Sequence, residues 1–208
     1  LVTFAWLLPC FACLFFLTEL WDSLSWAGTY VFFVLAGPGV TALHYNCMRI
    51  VRGVPVWWWD DYKECVRREW KKAMLLSAIL GALWSGYVYA LRLIIAVSGG
   101  LGLMYSMLFA VCGFVLTGLT ALSYQQLANV ELPFGNVLKN ALLLIFAGKG
   151  RSFAAVMFAL AALALCARYY LYAFFVLLVG FYAVGVMTFS LIFLPVFNEF
   201  FPSGDDAQ

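Results

Sequence analysis

The chain has 208 residues, of which 66% are hydrophobic, 19% aromatic and only 11% charged, with a mean hydropathy of +0.98. A water-soluble domain of this length leaves too much surface wet to hide so many apolar side chains, so lipid is the expected solvent. The formal net charge is only +2, with basic residues interleaved among acids, and no nucleic-acid partner is expected.

Six apolar runs follow one another, each close to the roughly 20 residues that cross a bilayer as a helix. They cover about 1–18, 26–48, 73–97, 101–122, 152–167 and 173–193. The fold expected is therefore an all-α polytopic membrane protein. It has six transmembrane helices and two cytoplasmic amphipathic connecting helices, in a single domain over 1–201 with a polar tail at 202–208.

Residues 1–18 are read as a spanning helix. A signal peptide would need a small-residue cleavage site after its apolar core, and Thr18-Glu19-Leu20-Trp21-Asp22 offers none. The sequence opens on Leu1, so the chain is expected to have begun earlier. Within the second run, Pro38 removes a backbone hydrogen bond and crowds the preceding turn. A kink or break is expected at Gly37-Pro38-Gly39, close to the bilayer middle, with Thr41 and His44 beside a possible cavity.

The first connector begins at Pro55 and Trp57-Trp58-Trp59. Asp61 and Glu64 have capping-box spacing, and Glu64 and Arg68 form an i,i+4 pair of the favoured order. Lys71 and Lys72 close this expected short helix and complement its dipole. Trp59, Tyr62, Val66, Trp70 and Ala73 share one face. That face, with Arg67, Arg68, Lys71 and Lys72, is expected to meet anionic lipid headgroups or a protein partner.

Ser98-Gly99-Gly100 marks a tight turn into the fourth run, where Gly102, Ser106, Ala110, Gly113, Thr117 and Ala121 allow close helix approach. The second connector carries Pro133, Lys139, Asn140, Lys149 and Arg151. Pro55 to Lys71 and Pro133 to Lys149 are both sixteen residues, a weak sign of a parallel repeat.

Lys and Arg near helix ends give the orientation. Ten of the twelve lie in the two connectors or the basic exit at Arg49 and Arg52, leaving only Arg92 and Arg168 on the other face. Both connectors, and with six spans both termini, are expected in the cytoplasm. Arg92 lies nineteen residues beyond Ala73, which at ~1.5 Å per residue places it near the outer interface, where it can snorkel.

Neither a catalytic centre nor a cofactor is expected. Five of the six cysteines lie in apolar runs, and Cys10 and Cys13 have no basic neighbour to form a thiolate. No run has an acid in its middle, and His44 has only Cys47, one turn on, as a nucleophilic neighbour. A lone histidine builds no metal site.

Two stretches together resemble the YesL-like family of bacterial integral membrane proteins. One is Gly37-Pro38-x-x-x-Ala42-Leu43 with Arg49, Arg52-Gly53, Asp61-Tyr62 and Trp70-Lys71-Lys72-Ala73. The other is Leu138-Lys139-Asn140-Ala141-Leu142-Leu143-Leu144 followed by Gly150-Arg151-Ser152. The resemblance covers about 1–201. It implies a domain of unknown function in the bacterial cell membrane, whose genes commonly sit beside carbohydrate importers of the ATP-binding-cassette type, and it carries over no catalytic residues.

The function expected is thus a non-enzymatic accessory or regulatory subunit of such an importer, in contact with the bilayer and with permease subunits. Glu131-Leu132-Pro133-Phe134-Gly135 is not the permease motif that docks the ATPase, so direct ATPase docking has no support. The alternative is a small-solute-binding or transport subunit resembling the substrate-capture component of energy-coupling-factor importers, with Thr41, His44, Tyr45 and Asn46 facing a cavity.

Overall fold

Glycine and proline decide where the first long helix stops. In a computed structural model that describes residues 22–98, 102–147, 149–168 and 182–201, α1 runs from Asp22 to Val51. Gly53 then adopts a left-handed φ of 72°, a conformation open to glycine at little cost. Its N–H and that of Val54 bond back to the Ile50 and Arg49 carbonyls at 3.0 Å, and Pro55 cannot continue the helix. α2 spans Trp58–Ser98, α3 Leu103–Asn129, α4 Phe134–Ala147, α5 Lys149–Arg168 and α6 Tyr182–Phe200. Every regular element among the described residues is helical.

α1 and α2 form an antiparallel hairpin. Tyr30 donates to the Ala78 carbonyl at 3.1 Å, and Arg49 pairs with Asp61 at 2.8 Å. α3 runs antiparallel to α2, tied by Ser77–Tyr124 at 2.7 Å, Trp84–Thr120 at 3.0 Å and Tyr87–Phe109 at 3.0 Å. Gly118 lets α3 meet Ile145 of α4 and Val156 of α5. α6 closes the bundle, burying Phe189, Phe193 and Phe197 against Met48 and Leu122.

Among the described residues three stretches are long and apolar enough to cross a membrane: Trp58–Val97, Leu103–Asn129 and Ala183–Phe200. α4 and α5 meet at 108° and add a fourth if counted as one broken span. This is the make-up of an all-α membrane protein.

Several expectations change at this level. The first connecting helix is no separate element but the beginning of the 41-residue α2. Residues 58–80 contain neither proline nor glycine, and the switch from charged to apolar side chains changes the preferred solvent without breaking the helix. Lys71 and Lys72 therefore sit mid-helix and cap no dipole. Pro38 does not break α1, which is continuous through it. The cap at the start of α2 is made by Asp61 reaching back to the Trp57 N–H at 2.9 Å, not by an Asp61–Glu64 box.

The expected repeat also parts in shape. After Pro55 comes one long helix, whereas after Pro133 come 14 residues of α4 and a sharp bend. Neither α1, over the expected span at 26–48, nor α5 by itself, over that at 152–167, is among the three stretches long and apolar enough to cross, and α6, which covers the described part of the run at 173–193, continues through Pro195 to Phe200. The expected span at 1–18, the Gly99-Gly100 turn and the tail at 202–208 lie outside the described residues.

Candidate functional site

Near its C-terminal end α3 carries four polar side chains in succession, Ser123, Tyr124, Gln125 and Gln126, all buried. α1, α2 and α6 each send one polar side chain to this segment. His44 Nδ1 lies 2.6 Å from Gln125 Oε1, and the Ser190 hydroxyl donates to the same oxygen at a long 3.5 Å. An oxygen serving both neighbours makes His44 Nδ1 the protonated nitrogen. On the other flank, Ser77 donates to the Ala73 carbonyl at 2.8 Å. Its only proton is thereby used, so Tyr124 is the donor in the 2.7 Å Tyr124–Ser77 bond. The His44 ring stacks on Tyr124 at 6.1 Å and meets Phe189 edge-on at 6.4 Å.

This hub is incompletely satisfied. Gln125 Nε2, both polar atoms of the Gln126 amide and Ser123 Oγ are buried without a hydrogen-bond partner. Each such group costs roughly 1–3 kcal/mol. No ionised side chain belongs to the hub, so its chemistry is that of neutral hydrogen bonding. His44 and Cys47 do not act together: the Cys47 thiol faces the Ala183 carbonyl, 3.9 Å away. No group of three or more His, Cys, Asp or Glu among the described residues could hold a metal ion.

Of the residues expected around the Pro38 break, His44 gives the hub a side chain and Gly37 packs against its Ser77. Gly37 is a packing position, where an added Cβ would fall 2.8 Å from the Ala73 carbonyl oxygen. Gly39 lies under the Tyr62 hydroxyl. Thr41 bonds the Gly37 carbonyl of its own helix at 3.0 Å. The stretch brings α1 and α2 together. Gln125 and Gln126 were missed from sequence, although two adjacent carboxamides in a charge-free helix of 27 residues are a readable signal, since each must find a partner away from water.

A second group occupies the charged start of α2. Its expected apolar face is divided. Tyr62 and Cys65 are buried against Ala42 of α1, with Val66 packed beside them, whereas Trp59 and Trp70 are exposed. Burial raises the Tyr62 hydroxyl above its usual pKa and pushes the Cys65 thiol up to about 11 despite the nearby Arg68 guanidinium. Glu69 is buried and holds Arg68 at 3.2 Å and Lys72 at 3.1 Å, so Arg68 pairs with Glu69 in place of Glu64. Arg67 and Lys71 are exposed.

In the second connector Pro133 precedes α4, and Lys139 and Arg151 are exposed while Asn140 is half-buried. Lys149 opens α5. None of Pro133, Lys139, Asn140 and Arg151 is bonded to the hub.

Neither family models, curated proteins nor solved structures give a match to this chain.

Proposed function

We propose that this chain is a non-enzymatic, multi-pass protein of the bacterial cell membrane that serves as an accessory or regulatory subunit of a carbohydrate importer. It crosses six times with both termini inside. The observation carrying the subunit role is the geometry of α2. Forty-one residues at ~1.5 Å each make about 60 Å, twice the ~30 Å hydrocarbon core. Residues 73–97 fill that core. The charged turns before them stand beyond it on the side that holds ten of the twelve Lys and Arg residues, the cytoplasmic side by charge bias. A rigid hairpin of α1 and α2 held clear of the bilayer is suited to gripping another protein. The importer rests on the resemblance to YesL-like proteins.

Purification of the tagged chain from its native membrane after mild crosslinking tests this. Permease subunits of a carbohydrate importer should be enriched over a control membrane protein. Repeated recovery of the chain without any permease counts against the role.

The hub favours a second reading, a solute-binding subunit, because the unpartnered Gln125 Nε2 and Gln126 amide could hydrogen-bond a neutral polar solute once the helices part. A rise in thermal midpoint with one member of a panel of sugars and vitamins, lost in Q126L, supports it. A flat response across the panel removes it.

A further inference from the structure

From the charged start of α2 we infer a docking stripe for an acidic, partly apolar segment of a cytoplasmic protein; this deepens the accessory-subunit reading and rests on its topology. Trp59 and Trp70 are eleven residues apart, three helical turns, and so lie on one line of α2 about 16 Å apart. Lys63 and Arg67 fall between them on the same side. Lys63 Nζ sits 4.6 Å from the Trp59 ring centre and Lys71 Nζ 5.5 Å from that of Trp70. The stripe is thus aromatic at both ends and cationic between. At its tip Trp57 and Trp58 add two more rings, 77% and 52% exposed. Four exposed tryptophans clustered at the end of a protein are far more than solvent tolerates without purpose, and Trp is the residue most enriched at the energetic centres of interfaces.

Charge selects the partner. The two buried acids of this segment are already engaged, Asp61 by Arg49 and Glu69 by Arg68 and Lys72. Exposed Asp60 lies 3.6 Å from Lys63, and Glu64 is the remaining exposed acid. Arg67 and Lys71 form no ion pair among the described residues, leaving the stripe positive and complementary to carboxylates.

Two other occupants fit less well. A headgroup layer would require the stripe to lie flat. It is instead collinear with the apolar part of α2, so Trp59 stands about 20 Å beyond Ala73 along the axis. A second copy in the same membrane has the same orientation, and a two-fold axis along the normal would set Lys63, Arg67 and Lys71 against themselves.

A photo-crosslinking amino acid placed at Trp70 of the full chain in its native membrane tests the inference, with crosslinked peptides identified by mass spectrometry. The expected product joins Trp70 to one recurring cytoplasmic segment rich in Asp and Glu. It should fall at least tenfold in K63E/R67E/K71E and partly in the milder K63Q/R67Q/K71Q, both keeping the parent thermal midpoint because all three side chains are exposed. The same probe at Val111, exposed on α3, should not capture that segment. Products with lipid alone, with a second copy, or with a segment lacking carboxylates overturn the inference, as does survival of the product in the charge-reversed variant. An acidic partner outside any importer would retain the docking stripe and dismiss the importer.

Discussion

Gly37 is where one methyl group would do most harm. An added Cβ would lie 2.8 Å from the Ala73 carbonyl oxygen and 2.9 Å from Ser77 Cβ, so α1 and α2 would have to separate along the hairpin. Gly37→Ala should destabilise by about 1–3 kcal/mol, the usual cost of overpacking, and lower the thermal midpoint in detergent by several degrees. Gly86→Ala is the matched control, because nothing lies within 4 Å of its added Cβ. It should be neutral or gain up to ~1 kcal/mol in helix propensity. Equal midpoints for the two variants would refute the packing role of Gly37.

The His44–Gln125 bond makes a different kind of demand. Gln125→Leu strands the His44 Nδ1 proton and the Ser190 hydroxyl, at about 1–3 kcal/mol, whereas H44F/Q125L removes both polar partners at once. A double-mutant cycle on thermal unfolding should give a coupling of about 0.5–2 kcal/mol. Additive effects would mean that the 2.6 Å contact contributes nothing to stability.

At the scale of the element, α2 shows what a sequence can and cannot announce. Its charges, its aromatic residues and its apolar second half were all legible, because each is a property of residue type. Its continuity was not. Trp57-Trp58-Trp59 and the basic cluster look like a surface segment in their own right, and the lack of proline or glycine over 58–80 permits one helix without requiring it. The dividing of its apolar face was hidden for the same reason. Tyr62 and Trp59 are alike in composition, but α1 covers Tyr62 and leaves Trp59 out.

Cys65 reports this cover directly. Its thiol is pushed up to about 11 from an ordinary 9.0, chiefly by burial. The folded chain therefore holds that proton more tightly than the unfolded chain. The thiol's stabilising share is fully present below pH 9 and fades as pH rises from about 9 towards 11. Alkylation of Cys65, followed by peptide mapping, should be slow at neutral pH and still accelerating above pH 10. A rate that levels off near pH 10, as for a thiol of ordinary pKa, would mean that α1 does not cover it. Asp61→Ala should loosen the same hairpin, since the carboxylate serves both Arg49 and the Trp57 N–H; a loss on the order of 2 kcal/mol is expected, with Asp61→Asn milder because an amide oxygen can still cap. An Asp61→Asn loss as large as that of Asp61→Ala would assign the whole effect to the ion pair.

For the whole molecule, charge asymmetry and apolar length made the membrane character plain in the sequence, whereas the way the helices interlock was not legible. Ser77, Gln125 and Ser190 lie far apart in the chain, and no periodicity in one helix reveals a partner on another. The same holds for Gly118, where α3 meets Ile145 of α4 and Val156 of α5. Orientation is the property on which most of the proposed biology turns, and α2 allows it to be tested on one rigid element. Cys65 is a poor reporter, being buried, but Glu64 beside it is exposed and Val97 at the far end is 80% exposed. The two are thirty-three residues apart, about 50 Å along the axis. A membrane-impermeant maleimide applied to intact cells should label V97C at once and E64C only after permeabilisation. Cys112, although exposed, lies in the apolar middle of α3 and should stay silent, because the reactive thiolate needs water. If both new cysteines label from one side, α2 does not cross. If E64C alone labels in intact cells, the charged end faces outward, and the aromatic and cationic stripe on α2 can have no cytoplasmic partner.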